Sequence, residues 1–227
     1  MEKLIFGIAG QKQSGKTTMS NYIHSLTKDS FYEYSFADNL KQFCMNTLGL
    51  TRKQCGYDNG TDDDKNLLTE HNWETVDEFF RRKYGNVIKL DDLQGPTVEL
   101  KKGLMTAREV MQVQGEMQRR MFSKDIWVKS VIRQINNNPS GVHVVSDVRY
   151  QNEIEAVLNS GGYIIYLSKI TNHDKADSET ELLNINWNSY KNIYEINNTH
   201  MTIEEKNATI RQFLLSNEEM KKFFQDQ

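Results

Sequence analysis

Eight residues near the amino end, Gly10-Gln11-Lys12-Gln13-Ser14-Gly15-Lys16-Thr17, carry the spacing G-x-x-x-x-G-K-[ST]. Glycines at both ends let the backbone curl until successive N–H groups face one concavity, which makes a nest for an anion. Lys16 adds a point charge suited to β- and γ-phosphate oxygens. The Thr17 hydroxyl, with Thr18 beside it, is a hard donor of the kind magnesium prefers. The chemistry implied is the binding of a nucleoside triphosphate with Mg2+, and the ordinary alternative is a chance match on a surface loop. Context separates the two, because the motif must follow a buried strand and open a helix. The apolar run Leu4 to Ala9 precedes it and a helical pattern from Thr17 to Leu26 follows.

Transfer of a phosphoryl group is chiefly positioning and charge neutralisation, so further cations are expected. Four arginines stand out: Arg108 at the start of a helical pattern, Arg119 and Arg120 at its end, and Arg149 just past an apolar strand. Arg108 and Arg119 lie eleven apart, about three helical turns, so they share a face and are able to bracket an elongated anion. Arg119 and Arg120 suit ordinary solvated helix arginines equally well. Val144-Val145-Ser146-Asp147-Val148-Arg149 ends a strand with an acid and then a cation. In an open parallel sheet the carboxyl ends of the strands line the ligand crevice, which sets Asp147 and Arg149 beside the phosphate loop. Asp147 then holds magnesium through water in the manner of a Walker B acid, or instead caps a helix. Asp38 and Lys41 follow the second strand, where Asp38 also suits a capping role. Trp73, Tyr84 and Trp127 are read first as core packing and second as platforms for a base, and Asp62-Asp63-Asp64 as a solvated helix start.

Positioning these groups requires alternating elements. Strands are predicted at Leu4–Ala9, Phe31–Phe36, Val142–Ser146, Tyr163–Leu167 and Asn192–Ile196. Helices are predicted at Thr17–Leu26, Asp38–Leu48, Thr106–Met121, Lys124–Asn136, Asn152–Ser160 and Thr202–Phe224. The last opens on the capping box Thr202-Ile203-Glu204-Glu205. The expected fold is α/β: a five-stranded parallel sheet with helices on both faces, in one domain over residues 1–227. Residues 38–121 form a region that includes an insertion at 50–103, where Trp73–Tyr84 reads as amphipathic and Val87–Leu90 with Thr97–Leu100 as a hairpin. The polar stretch 168–190, with Lys169, Lys175, Ser178 and Glu179, reads as a lid.

With 227 residues and a net charge of −3, the chain lacks the broad positive field that nonspecific duplex binding needs. Cys44 and Cys55, the two cysteines, sit in no metal-ligand spacing and read as free thiols in a reducing cytosol. No leader or membrane span is expected, which points to the cytoplasm, of a bacterial host on the resemblance described next. The final helical pattern offers a homodimer surface.

Taken together, Gly10-x-Lys12-x-Ser14-Gly15-Lys16, Phe36-Ala37-Asp38-x-Leu40-Lys41, Thr61–Asn66, Thr106–Gln112, Asp125–Val128, Ser146–Glu153 and Ser178-Glu179 resemble bacteriophage deoxynucleoside monophosphate kinases. The resemblance implies a P-loop kinase fold and transfer of the ATP γ-phosphoryl group to a deoxynucleoside 5′-monophosphate, with magnesium. It places Asp38, Lys41, Arg108 and Gln112 on the acceptor side and makes Asp147 and Arg149 the link to the donor. No arginine occurs between Arg149 and Arg211, so the arginine-bearing lid of many nucleotide kinases is missing and Lys169, Lys175 or Arg149 must supply its charge. Three rivals stand beside this reading: a phage kinase acting on 5-hydroxymethyluracil within DNA, a phosphomevalonate kinase, and a nucleotide switch. The switch lacks an N-K-x-D base-reading motif.

Overall fold

The computed structural model describes residues 2–28, 30–75, 78, 101–138, 140–169 and 182–225. The chain divides into two compact units, one built from residues 1–36 and 128–227 and the other from 37–127.

The first unit holds a five-stranded sheet of β1 (Lys3–Gly10), β2 (Phe31–Tyr34), β5 (Gly141–Val148), β6 (Tyr163–Leu167) and β7 (Ile193–Ile196), in the order β2-β5-β1-β6-β7. Every pairing is parallel. A central parallel strand is covered on both faces, which is why β1 reads as an almost unbroken apolar run. Leu4, Phe6 and Ile8 pack on one side with α1 (Lys16–Leu26), α7 (Ile203–Ser216) and α8 (Glu218–Lys221). Ile5 and Ala9 pack on the other with α5 (Ile126–Asn137) and α6 (Gln151–Asn159). This is the α/β sandwich of a P-loop kinase, and the five strands lie within two residues of their expected limits.

The expected single helix Thr202–Phe224 is two helices, α7 and α8, broken at Asn217. The Asn217 side chain accepts from the amides of Glu219 and Met220, a second N-cap that restarts the helix. The apolar residues of this stretch, Ile210, Leu214, Met220 and Phe224, are buried in the sheet core. At the end of the stretch expected to be a lid, Leu182 is buried and Trp187 stacks on Tyr166 at 4.0 Å, which anchors these residues to the sheet.

The second unit holds α2 (Asp38–Leu48), α3 (Asp62–Lys65), the antiparallel pair β3 (Leu68–Asn72) and β4 (Leu104–Thr106), and α4 (Ala107–Met121). Met105, Val110, Val113 and Met117 from β4 and α4 bury against Cys44, Leu50, Cys55 and Trp73. Among the described residues the insertion adds no strand to the main sheet, and the β3–β4 ribbon was not foreseen. The segments read as a hairpin, Val87–Leu90 and Thr97–Leu100, lie outside the described residues, as does most of Trp73–Tyr84. Both cysteines are buried free thiols, and burial pushes the Cys44 thiol up to about 12.

Candidate active site

The phosphate loop runs from the last residue of β1 into α1, as its spacing requires. Gly10 and Gly15 take positive φ angles of 155° and 95°, and Gln13 lies in the left-handed region at 62°. A side chain on Gly10 would come within 2.5 Å of Ser14 Oγ, so the turn admits only glycine there. A non-glycine residue held left-handed at Gln13 is local strain of the kind found in ligand loops. Gly15 is the N-cap of α1, so the unpaired amides and the positive end of that helix converge on the loop.

Four of the loop carbonyls have donors within the chain. Lys16 Nζ donates to the carbonyls of Gly10 at 2.6 Å and Gln11 at 2.8 Å. Ser14 N–H donates to Gln11 O, while Asn198 Nδ2 reaches Ser14 O at 2.8 Å and Lys206 Nζ reaches Gly15 O at 3.2 Å. Thr17 and Thr18 open α1 with exposed side chains, and Lys12 is half-buried.

Beside the loop, β5 carries a bulge: Gly7 pairs with Val145 but Ala9 pairs with Val148, one residue further on. The extra residue re-aims the strand end. Asp147 is fixed there, Oδ1 accepting from Phe36 N–H at 2.8 Å and Oδ2 from Ser35 Oγ–H at 2.6 Å. It belongs to the strand and caps no helix. Glu153, buried, accepts from the amides of Arg149 and Tyr150 and thereby sets the Arg149 backbone at the start of α6. Parallel register therefore brings Asp147 and Arg149 to the same edge as the loop.

A magnesium ion keeps several waters and phosphate oxygens and needs one or two protein oxygens. A threonine hydroxyl at the head of α1 and an anchored carboxylate at the end of β5 fit that demand. Among the described residues no group of three His, Cys, Asp or Glu forms a protein cage for a metal, which is the arrangement magnesium does not require.

The acceptor-side residues fall in the second unit. Asp38 is the first residue of α2, with Ala37 at the cap, so the capping role read for Asp38 is not the one it plays. Instead it accepts from Tyr57 Oη at 2.9 Å and lies 3.8 Å from Lys41 Nζ. Burial, then the Asp38 contact, pushes the Tyr57 phenol up. Lys41 and Arg52 both stand over the Tyr57 ring, 5.0 and 5.1 Å from its centre. Arg108 donates through Nε to Asn66 Oδ1 and through Nη2 to Asp62 Oδ1, each at 3.1 Å. Arg119 and Arg120 meet Glu116 on the same helix, at 3.8 and 2.7 Å, and Gln112 is exposed. Trp127 is buried and its indole N–H is spent on the Gly115 carbonyl at 3.3 Å, so the packing reading holds and the base platform does not. The Asp62–Asp64 start of α3 is capped by Thr61 in a full capping box, as read.

Lys169 directly follows β6, whereas Lys175, Ser178 and Glu179 lie outside the described residues. Sequence reasoning missed Asn198, Lys206, Ser35 and Tyr57. The Tyr150-Gln151-Asn152-Glu153 spacing carried a signal for Glu153, but nothing local announced Lys206.

No protein-family model matches the chain. A protein of Acanthamoeba polyphaga mimivirus, provisionally named a deoxynucleotide monophosphate kinase, is 30% identical over 204 residues, which cover 89% of this chain and 91% of that relative.

Proposed function

The chain belongs to the deoxynucleotide monophosphate kinase family, and from that premise we propose that it transfers the γ-phosphoryl group of ATP to a deoxynucleoside 5′-monophosphate, giving a diphosphate for viral DNA synthesis. The observation that carries this reading is the strained, amide-rich loop at the carboxyl edge of the parallel sheet, with Asp147 held in register beside it.

The loop amides and Lys16 hold the β- and γ-phosphates, Lys16 exchanging its two carbonyl acceptors for phosphate oxygens of greater charge. Thr17 and Asp147 would hold Mg2+, Asp147 being fixed for that role by Ser35 and Phe36, which engage its oxygens. When bound, the ion screens the triphosphate. Arg149 neutralises charge that develops on the migrating group. In the second unit Asp38, Lys41, Arg108, Gln112, Arg119 and Arg120 bind the acceptor, Arg108 giving up Asp62 for its phosphate. An acceptor phosphate oxygen attacks the γ-phosphorus, the bond from that phosphorus to the β–γ bridging oxygen breaks, and ADP leaves. With a second pKa near 6 the acceptor phosphate is already ionised at neutral pH, so no general base is needed.

ATP-coupled ADP release, measured across all deoxy- and ribonucleoside monophosphates and with duplex DNA as a separate arm, tests this. Stimulation by at least one deoxynucleoside monophosphate is the expected result. Release that no mononucleotide stimulates overturns it.

A further inference from the structure

Lys206 is buried, 4% exposed, and among the described residues its side chain donates to the carbonyl of Gly15 in the phosphate loop. An ammonium held out of water normally has a carboxylate partner, because desolvation of the charge is costly. Among the described residues none pairs with it. Glu205, its neighbour on α7, is turned away to accept from Thr202 N–H as part of the helix cap, and Glu204 is exposed. The position is unfavourable twice more. Lys206 stands in the first turn of α7, where the helix end is already positive. Burial, and then the like charge of Lys169, both work against its protonated form.

A methionine of similar length would fill the same space at none of these costs, so packing does not account for the residue. Its contact does. In a loop whose amides face an anion, the carbonyls face outward and need donors. Asn198, 7% exposed, supplies one to Ser14, and Lys206 adds a second donor to Gly15, whose carbonyl also accepts from Met19 N–H at 3.0 Å within α1. An added side chain at Gly15 would meet Lys206 Nζ at 2.8 Å, which shows how closely the ammonium seats against the loop backbone. The N-terminal turns of α1 and α7, Lys206 and Lys169 thus put positive charge behind the nest. Two buried oxygens nearby, Ser14 Oγ and Asn198 Oδ1, have no partner among the described residues. That field is balanced by a polyanion.

We propose that Lys206 is a positioning residue for the phosphate donor: with Asn198 it locks the carbonyl side of the loop, and its charge, acting through Gly15, favours a triphosphate in place of the missing lid arginine. This rests on the donor-site reading given above. Lys206→Met removes lock and charge together. Lys206→Gln keeps a donor for the Gly15 carbonyl and removes only the charge. Calorimetric titration with ATP, alongside steady-state kinetics, reads both.

The expected result is that Lys206→Met weakens ATP binding roughly tenfold or more, the scale of a lost charge-assisted hydrogen bond, while the KM for the monophosphate acceptor stays put. Lys206→Gln falls between this variant and the wild type. Wild-type ATP affinity in folded Lys206→Met overturns the proposal, and so does an equal rise in both KM values. Failure of both variants to fold, seen by circular dichroism, overturns it as well, since Lys206 is then a structural residue. If the wild-type protein binds ATP but phosphorylates no nucleoside monophosphate, the proposed reaction falls while the titration still decides Lys206.

Discussion

The phosphate loop of the first unit and the arginine cluster of the second handle charge in opposite ways. In the loop the anion binder is backbone, set by positive φ angles at Gly10, Gln13 and Gly15 and fastened by Asn198 and Lys206, both nearly inaccessible to water. In the second unit the cations are side chains, half-exposed or exposed, and carboxylates already meet them: Asp62 holds Arg108, and Glu116 holds Arg119 and Arg120. A preorganised nest is built once, at folding, and binds without rearrangement. Exposed ion pairs are worth little and exchange readily, so such arginines are free to trade one anion for another. The contrast suits a reaction whose donor is constant and whose acceptor must be chosen.

The sharpest way to break the comparison is at the loop. Lys16→Ala should lower kcat by ~10³-fold or more, the upper range for loss of one preorganised donor, with the melting temperature little changed. Retained ATP-dependent turnover would show that the nest is not the donor site. Arg149→Ala comes next. Its backbone stands at the same sheet edge but outside the nest, so a fall in kcat of ~10²-fold is expected, with ATP binding measured by titration nearly intact. An unchanged kcat removes Arg149 from the mechanism.

Much of the first unit was legible because its signals are local. The apolar run of β1 and the G-x-x-x-x-G-K-[ST] spacing each lie within a few residues of what they specify, and β6 falls at Tyr163–Leu167 as read. What stayed hidden depends on distance or on a single residue. Lys206 contacts a loop carbonyl 191 positions away, and on a helix with several charged residues its burial has no local mark. The bulge in β5 adds one residue to an apolar run that looks regular, and only pairing with β1 reveals it. The ribbon strands β3 and β4 are short and largely polar, so alternation is too weak to separate them from loop. The break at Asn217 was available: Asn followed by Glu218 and Glu219 is an N-cap pattern inside what otherwise reads as one helix.

The second unit yields a smaller effect. Arg108→Ala should raise the acceptor KM by roughly tenfold, on the scale of one hydrogen bond to a charged group, and leave the KM for ATP unchanged. Asp62→Ala sharpens the test, because it frees Arg108 from its partner without removing the cation. If Arg108 exchanges Asp62 for the acceptor phosphate, Asp62→Ala lowers the acceptor KM. A rise in both variants would mean that the pair serves only to hold α3 against α4.

The smallest expected effect concerns pH, and it too divides the units. His143 is fully buried in β5, where its Nδ1 lies 3.2 Å from Tyr34 Oη and its ring stacks on Tyr32. Burial pushes its pKa below the ordinary histidine value, so the folded chain takes up a proton there less readily than the unfolded chain does. The unfolded chain takes up that proton as pH falls through about 6.5, so the stability His143 contributes is present above that pH and is lost below it. The slope is at most about 1.4 kcal/mol per pH unit for one proton. The buried cysteine of the second unit, Cys44, is pushed the other way, to about 12, and stays protonated throughout this window. Urea unfolding of the wild type between pH 7.5 and 5.5 should therefore show a fall in midpoint that His143→Gln largely removes. The same fall in both proteins would place the pH-sensitive group elsewhere than the sheet.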